Sequence, residues 1–109
     1  MEVVRLPAYI RAMKAMGFDE AGMRDVENYI RAAPDAHPMV KGLKGARKAR
    51  FARPGHGKRG GGRTIYYVAV SPSLLFMMTA YPKNERDDLS TEQRRAIVKA
   101  LESIKGTHR

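Results

Sequence analysis

Four basic side chains of this chain are spaced so that they could act together on a phosphate group. Lys48 and Arg50 lie two residues apart in a run of alternating polar and apolar residues, so on a strand they share one face. Arg63 begins a second strand-like run, and Lys83 follows a third. Because adjacent strands are only about 5 Å apart, the four cations can converge on one concave face of a sheet.

The chemistry open to such a cluster is phosphate binding and stabilisation of a phosphorane-like transition state. A lysine crowded by other cations holds its proton less tightly, and it can then act as a base or an acid near neutral pH. RNA brings its own nucleophile, the 2′-hydroxyl, so a cationic site without a metal can suffice for its cleavage. A solvated basic face that binds RNA without cutting it is the alternative that these residues leave open.

The net charge of the 109-residue chain is +10, and all of it lies in the middle of the sequence. No acidic residue occurs between Asp35 and Glu85, whereas this window holds ten cations: Lys41, Lys44, Arg47, Lys48, Arg50, Arg53, Lys58, Arg59, Arg63 and Lys83. A concentrated basic field attracts polyanions and releases their counterions on binding, so nucleic acid is the expected partner. A generally basic soluble protein is the alternative. A membrane-surface helix is disfavoured because the cations lie in strands and loops.

The stretch Arg53–Arg63, RPGHGKRGGGR, contains the letters GxGxxG of a dinucleotide-binding loop. That fold needs a helix after the glycines and an acid about 20 residues further on. Here a β-branched, aromatic run follows, and no acid occurs before Glu85. A P-loop fails as well, because arginine follows the glycine–lysine pair where Ser or Thr is required. We therefore expect a long, loose hairpin loop from Arg53 to Gly62, whose Lys58 and Arg59 either follow a phosphate backbone or keep the tip soluble.

Other kinds of site find little support in the sequence. The chain has no cysteine, which excludes disulfides, zinc–cysteine sites and thiol catalysis and suits a reducing cytoplasm. The three histidines lack ligand spacing, and His56 is interpreted as an exposed loop side chain rather than a general acid. Glu85, Asp87 and Asp88 could hold Mg²⁺, but a position near the start of the last helix explains them better. We expect no metal and no cofactor. We also expect no signal peptide and no membrane span, since no apolar run approaches about 20 residues.

The elements that must carry these residues follow from hydrophobic periodicity and from helix and turn signals. Asp19 is a good N-cap for the second helix, and Ser90 with Gln93 forms a capping box for the last one. The chain is predicted to form one domain, 1–109, in the order β-α-α-β-β-β-α: strand 3–6, helices 8–16 and 20–33, strands 46–53, 63–70 and 74–81, and helix 91–105. The predicted fold class is α+β, an antiparallel sheet with its helices packed on one face.

Several segments in a fixed order resemble RelE/HigB-type toxins of bacterial type II toxin–antitoxin systems. They are KARFARPG at Lys48–Gly55, GGRTIYY at Gly61–Tyr67, AYPKNE at Ala80–Glu85, and Asp88-Leu89-Ser90 before a terminal helix. The similarity is good over residues 40–105 and looser before them. It implies a small microbial-RNase fold and a metal-independent mRNA endonuclease that typically cuts in the ribosomal A site and leaves a 2′,3′-cyclic phosphate. It also implies an antitoxin that covers the basic face or displaces the terminal helix.

The same resemblance implies a role for each of the four cations. Lys48 and Arg50 match the paired basic residues of the family's first meander strand, where a lysine is the base for the 2′-hydroxyl. Arg63 matches the arginine that grips the scissile phosphate. Lys83, rather than its neighbour Asn84, falls where some relatives carry an arginine that assists the leaving group.

Further side chains are expected to contact RNA, and these are Arg47, Arg53, Lys58, Arg59 and Tyr81. Some family members stack a tyrosine on an mRNA base just before the terminal helix, where this chain has Ser90. Because stacking is tolerant of sequence, Tyr81 or Tyr66 could replace that tyrosine, or either could belong to the core.

The sequence thus predicts a cytoplasmic toxin whose partners are an antitoxin protein, mRNA and the ribosome with its 16S rRNA. A non-enzymatic RNA- or ribosome-binding protein on the same fold is the main alternative. A toxin that poisons a protein such as DNA gyrase is a third hypothesis, and it would not need the four cations.

Overall fold

The computed structural model describes residues 1–55, 57–70, 73–83 and 88–107, with the backbone alone for residues 57–60. The order of its elements is the one that the sequence predicts. Except at the start of the third strand, their bounds differ from the predicted ones by at most two residues. They are β1 (Glu2–Arg5), α1 (Pro7–Ala15), α2 (Glu20–Ala32), β2 (Arg47–Arg53), β3 (Gly57–Ala69), β4 (Leu74–Pro82) and α3 (Thr91–Thr107). None of the described helices is both long enough and apolar enough to cross a membrane.

The four strands form one sheet in the order β1-β4-β3-β2. β2, β3 and β4 form the antiparallel meander that the sequence predicts. β1 instead pairs with β4 in parallel, with Val3 beside Leu75 and Arg5 beside Met77. Two helices separate β1 from the meander, so no turn signal in the sequence identifies its pairing partner. The expectation of an antiparallel sheet therefore holds for the meander and is wrong for β1.

Helices cover both faces of this sheet, and the prediction that they pack on one face is wrong. The face toward α1 and α2 contains Tyr66 and Met77, in one core cluster. The face toward α3 contains Ile65 and Phe76, in a second cluster. β3 and β4 point apolar side chains to both sides, and strands of this kind need cover on both sides. The two faces are called here the α1–α2 face and the α3 face.

Both helix caps that the sequence predicts are present. At the start of α2, the Asp19 carboxylate accepts the N–H of Gly22 at 2.8 Å. At the start of α3, the N–H of Gln93 donates to Ser90 Oγ at 3.1 Å, and the N–H of Ser90 donates to Gln93 Oε1 at 3.0 Å. These reciprocal bonds satisfy backbone donors that the helix itself leaves unpaired. The starts of α2 and α3 are therefore fixed by local sequence.

The glycine-rich stretch is part of the sheet over most of its length, because β3 begins at Gly57. Arg53 pairs with Gly57, and Phe51 pairs with Gly62. The prediction of a loose loop from Arg53 to Gly62 is therefore wrong for residues 57–62. Glycine weakens a strand, but it is accepted where a neighbouring side chain occupies the space that a Cβ would take. The ring of Phe51 does this at Gly62.

A buried ion pair ties β1 to the two helices that follow it. Glu27 is 2% exposed and accepts two hydrogen bonds from Arg5, at 2.8 and 2.9 Å, and one from the Tyr9 hydroxyl at 2.8 Å. Arg5 also donates to Glu20 at 2.7 Å. Hydrogen bonds to the two carboxylates raise the pKa of Arg5. Burial, together with the Glu27 carboxylate, raises the pKa of Tyr9. The guanidinium therefore stays charged and the phenol keeps its proton.

Replacing Glu27 with glutamine is expected to lower the free energy of unfolding by about 3 kcal/mol, because Arg5 then lacks its buried counter-charge. Glu20→Gln is the matched control, since it removes the exposed partner of the same arginine. It is expected to have a much smaller effect, because exposed ion pairs are screened by water and salt. Urea unfolding followed by circular dichroism measures both changes. Equal losses would contradict the importance assigned to the buried pair.

The Tyr66 phenol is expected to make the protein less stable in alkali. It is buried and donates to the carbonyl oxygen of Pro34, and burial raises the pKa of Tyr66 from 10.0 to about 12. The unfolded chain loses this proton near pH 10 while the folded protein still holds it. The contribution of the protonated Tyr66 to the free energy of unfolding is therefore complete below about pH 10 and is lost as the pH rises to about 12.

Urea unfolding of the wild type and Tyr66→Phe at several alkaline pH values tests this expectation. Phenylalanine has no proton to lose, so stability should decline less steeply in the variant than in the wild type. An identical decline in the two proteins would rule out a contribution from Tyr66.

Candidate active site

The strand register places three of the four predicted catalytic cations side by side. Arg50 on β2 lies directly opposite Arg63 on β3, and Lys48 lies opposite Ile65. Ile65 belongs to the core cluster beneath α3. Since side chains on a strand alternate between its two faces, Lys48, Arg50 and Arg63 all belong to the α3 face. Directly opposed residues of antiparallel strands have Cβ atoms about 5 Å apart. The structure therefore brings these three residues together; they are called here the cation cluster.

Arg63 is the most restrained member of the cation cluster. It is 7% exposed, whereas its partner Arg50 is exposed. Its Nη1 donates to the carbonyl oxygen of Gly62 at 2.9 Å. Arg63 is buried because β3 is a central strand, with Arg50 on one side and Tyr81 on the other. Its guanidinium therefore presents a fixed charge, while that of Arg50 can adjust to a ligand.

The two arginines form a like-charged pair across the strands. Residues of the same charge that lie directly opposite each other destabilise a sheet. A guanidinium is planar and matches two oxygens of a phosphate at once. A phosphate held by both side chains would offset the repulsion between them. The geometry of Arg50 and Arg63 thus favours an anionic ligand.

Lys83 joins the same region from the end of β4. Its N–H donates to the carbonyl oxygen of Gly61 at 3.0 Å, and its side chain is exposed. Tyr81, two residues earlier, pairs directly with Arg63. The fourth predicted cation therefore lies beside the cation cluster, while Asn84 lies outside the described residues.

An ionised carboxylate lies near the cation cluster. Asp88 accepts the N–H of Leu89 at 2.8 Å and a guanidinium N–H of Arg94 at 2.9 Å. The bond from Leu89 is the largest cause that lowers the pKa of Asp88. The hydrogen bond from Arg94 and, to a smaller extent, the charge of Lys48 lower this pKa further.

Arg94 also donates to the carbonyl oxygen of Lys41 at 3.0 Å. The start of α3 is thereby fastened to the segment before β2, and Asp88 supplies a counter-charge near Lys48. This role is not apparent from the sequence, because Lys48 and Asp88 lie far apart along the chain.

The tyrosines that were considered for base stacking are both in the core. Tyr81 is 2% exposed, within the cluster beneath α3. Tyr66 is 0% exposed on the α1–α2 face. Neither ring has an exposed face on which a base could stack, so we assign both to packing. The sequence could not separate the two roles, because stacking and core positions both favour aromatic residues in strands.

The other residues that were expected to contact RNA do not form one group. Arg47 pairs with Tyr66 and so belongs to the α1–α2 face. It donates to the carbonyl oxygen of His37 at 2.7 Å and thereby holds the segment before β2. Arg53 is half-buried at the end of β2. The backbone of Lys58 and Arg59 belongs to β3. His56 lies outside the described residues.

Gly62 is a residue of this site to which sequence analysis gave no role of its own. It directly precedes Arg63 and pairs with Phe51, the residue after Arg50. A glycine inside a strand signals close approach of a neighbouring group. That signal was present in the sequence, but it was interpreted as looseness of a loop.

The ligand that the cation cluster suits is an anion. Among the residues that the structure describes, no group of three or more His, Cys, Asp or Glu side chains could hold a metal ion. The cluster offers donors and positive charge, which bind phosphate oxygens and stabilise negative charge that develops on them.

Two comparisons with known proteins bear on this site and on the fold around it. A family model described as the RelE toxin of the RelE / RelB toxin–antitoxin system matches residues 39–108, a range that includes the whole cation cluster. The fold is similar to that of the E. coli toxin RelE, seen in a structure of a double mutant in the free state. The TM-score is 0.56, and the match covers 92% of this chain and 96% of that chain. The sequence identity is 14%, so this second likeness shows the fold alone.

If Arg50 and Arg63 repel each other, a phosphate bound between them should stabilise the folded protein. A ligand that binds only the folded state raises the free energy of unfolding by about 1.4 kcal/mol at ten times its Kd. Thermal unfolding in phosphate and in chloride at equal ionic strength measures this gain. Arg50→Ala should lose most of it. Lys14→Ala, which removes an exposed cation of α1, should keep it. Equal gains in all three proteins would place the phosphate elsewhere.

Proposed function

This chain belongs to the RelE toxin family of toxin–antitoxin systems, and from that membership we propose that it is a metal-independent endoribonuclease. In this proposal the toxin cleaves mRNA on the ribosome and so inhibits translation. As a member of the family, the chain is the toxin of such a system, and its protein partner is an antitoxin.

One observation carries the proposed activity, and it is the register of β2 against β3. Arg50 lies directly opposite Arg63, and Lys48 lies one side-chain repeat away on the same face. Two guanidinium groups and the Lys48 amine can thus surround one phosphate and the hydroxyl beside it. This arrangement supports chemistry at a phosphodiester, because the charge that develops in the reaction would be met by donors already in place.

The proposed reaction begins with removal of a proton from the 2′-hydroxyl of the RNA. Lys48, in its uncharged form, accepts that proton, and the 2′-oxygen forms a bond to the adjacent phosphorus. The bond from phosphorus to the 5′-oxygen of the next nucleotide breaks. The products are a 2′,3′-cyclic phosphate and a free 5′-hydroxyl. The nucleophile belongs to the RNA itself, so the reaction needs no metal-bound water.

The remaining cations have separate tasks in this proposal. Arg63, which is restrained by the Gly62 carbonyl, holds the scissile phosphate in place. Arg50 is exposed and follows the phosphate as negative charge develops on its oxygens. Lys83 donates a proton to the departing 5′-oxygen, so that one proton is taken up at Lys48 for each one given at Lys83. Asp88 stays ionised and balances part of the positive charge.

A second candidate function is binding of RNA or the ribosome without cleavage. The burial of Tyr66 and Tyr81 favours it, because neither ring can hold a base in line for the reaction. Orientation of the nucleotide would then depend on contacts with phosphates, which fix position more weakly than stacking does. The two functions differ in one outcome, which is the appearance of cut RNA.

Primer extension on an mRNA in a translation extract tests the endonuclease proposal. The wild type is expected to produce new 5′ ends, at which the extended primer stops. Arg63→Ala should lower the rate by about 100- to 1,000-fold, as expected for loss of one transition-state donor. Lys48→Ala should lower it by about 100- to 10,000-fold, the range for loss of a general base. Lys14→Ala removes the same charge from an exposed position on α1 and should cut as the wild type does.

Three outcomes would contradict parts of this proposal. If the wild type binds ribosomes in a salt-dependent way and leaves the mRNA intact, the non-enzymatic function is correct. If Arg63→Ala or Lys48→Ala cuts at the wild-type rate, that residue has no catalytic role. If free mRNA without ribosomes is cut as fast as translated mRNA, the ribosome is not required.

A further inference from the structure

A close contact between an aromatic ring and a glycine lies on the sheet directly behind the cation cluster. A Cβ atom placed on Gly62 would lie 2.5 Å from Cζ and 2.6 Å from Cε2 of Phe51. Real Cβ atoms do not approach carbon so closely, so any other residue at position 62 must move the ring or the strand. Gly62 is not among the glycines with positive φ. Space, rather than backbone conformation, therefore requires the glycine here.

The Phe51 ring is held in place from its other side. It meets the Phe18 ring edge to face, with the two ring centroids 5.2 Å apart and the planes at 82°. Phe18 lies between α1 and α2, and a Cβ on Gly22 of α2 would come within 3.0 Å of its ring. The two rings thus form a short column that links α2 to β3, with a glycine at each end. Neither ring can shift far, because each has close neighbours on two sides.

This column acts on the same strand pair that carries the two arginines. Phe51 follows Arg50 and Gly62 precedes Arg63, so the two pairs are adjacent in the register and on opposite faces of the sheet. Repulsion between Arg50 and Arg63 acts to separate β2 from β3 at this point. The packed contact between Phe51 and Gly62 opposes that separation. The Gly62 carbonyl oxygen also accepts a hydrogen bond from the Arg63 guanidinium at 2.9 Å, so a shift of Gly62 moves the arginine.

We propose that Phe51 and Gly62 are positioning residues, which set the spacing of β2 and β3 so that Arg50 and Arg63 hold one phosphate between them. This inference rests on the proposed function. Neither residue touches the substrate, and both act through the arginines on the opposite face. The alternative is that the pair only contributes to the core, in which case its loss would lower stability and leave the geometry of the arginines unchanged.

The test uses Gly62→Ala, Phe51→Leu and the double variant Phe51→Leu/Gly62→Ala. Gly62→Ala forces a methyl group into the ring and should lower kcat by about 100-fold, because small displacements of catalytic groups have effects of this size. KM should change little, since the charges that attract RNA are all retained. In the double variant the shorter leucine leaves room for the methyl group, so at least ten-fold of the lost activity should return.

Met23→Ala is the control for stability alone. Met23 lies on α2 in the same core cluster, on the side of the sheet opposite Arg50 and Arg63. Its activity under folding conditions should equal that of the wild type. If Gly62→Ala fails to fold, Phe51→Leu decides the question against this control. A loss of kcat in Phe51→Leu that Met23→Ala does not show supports the inference, and equal activity of the two overturns it.

A second measurement keeps this inference separate from the proposed function. The rise in Tm that is expected in inorganic phosphate does not depend on cleavage, and Gly62→Ala should lose at least half of it. If the wild type does not cut RNA but Gly62→Ala loses the phosphate effect, the endonuclease proposal fails and the positioning role stands. If Gly62→Ala keeps both the wild-type kcat and the phosphate effect, or the double variant recovers nothing, the positioning role is wrong.

Discussion

The direct pairing of Arg50 with Arg63 across β2 and β3 is the constraint on which the cation cluster depends. Like charges directly opposite each other destabilise a pair of strands, and a cross-strand pair typically contributes about 0.2–1 kcal/mol. A small domain has a total stability of only about 5–15 kcal/mol. Arg63 cannot escape into water, because it lies on a central strand and is 7% exposed. The fold must therefore hold β2 against β3 by contacts that outweigh this repulsion.

The two-sided core supplies those contacts. β3 and β4 bury apolar side chains against α1 and α2 on one face and against α3 on the other. Burying each large apolar side chain contributes about 1.5–3 kcal/mol, so a few such residues near the hairpin exceed the repulsion. Asp88 adds a counter-charge near Lys48, since its carboxylate is held ionised by Leu89 and Arg94. The cation cluster is thus kept together by the surrounding protein, and an anion that enters it finds donors already in place.

Local signals in the sequence predicted the elements, and contacts over long distances decided the rest. Asp19 and the Ser90–Gln93 box marked helix starts correctly because a cap involves only neighbouring residues. Alternation along β2 and the position of Arg63 in β3 were enough to predict that their cations meet, since strand period and spacing are fixed by the backbone. The parallel partner of β1 and the face chosen by α3 were not predictable in this way, because both depend on which apolar surfaces remain to be covered after the meander forms.

Gly62 shows most clearly where composition misleads. Glycines and cations together are typical of a loop, and the sequence was interpreted in that way, yet β3 runs through this stretch from Gly57. The pairs Arg50-Phe51 and Gly62-Arg63 explain the difference. On a strand, neighbouring residues point to opposite faces, so each pair places one cation on the α3 face and one packing residue on the α1–α2 face. Arg50 and Arg63 meet on one side only if Phe51 and Gly62 fit together on the other. The KARF and GGR segments are therefore best understood as two halves of one contact across the sheet.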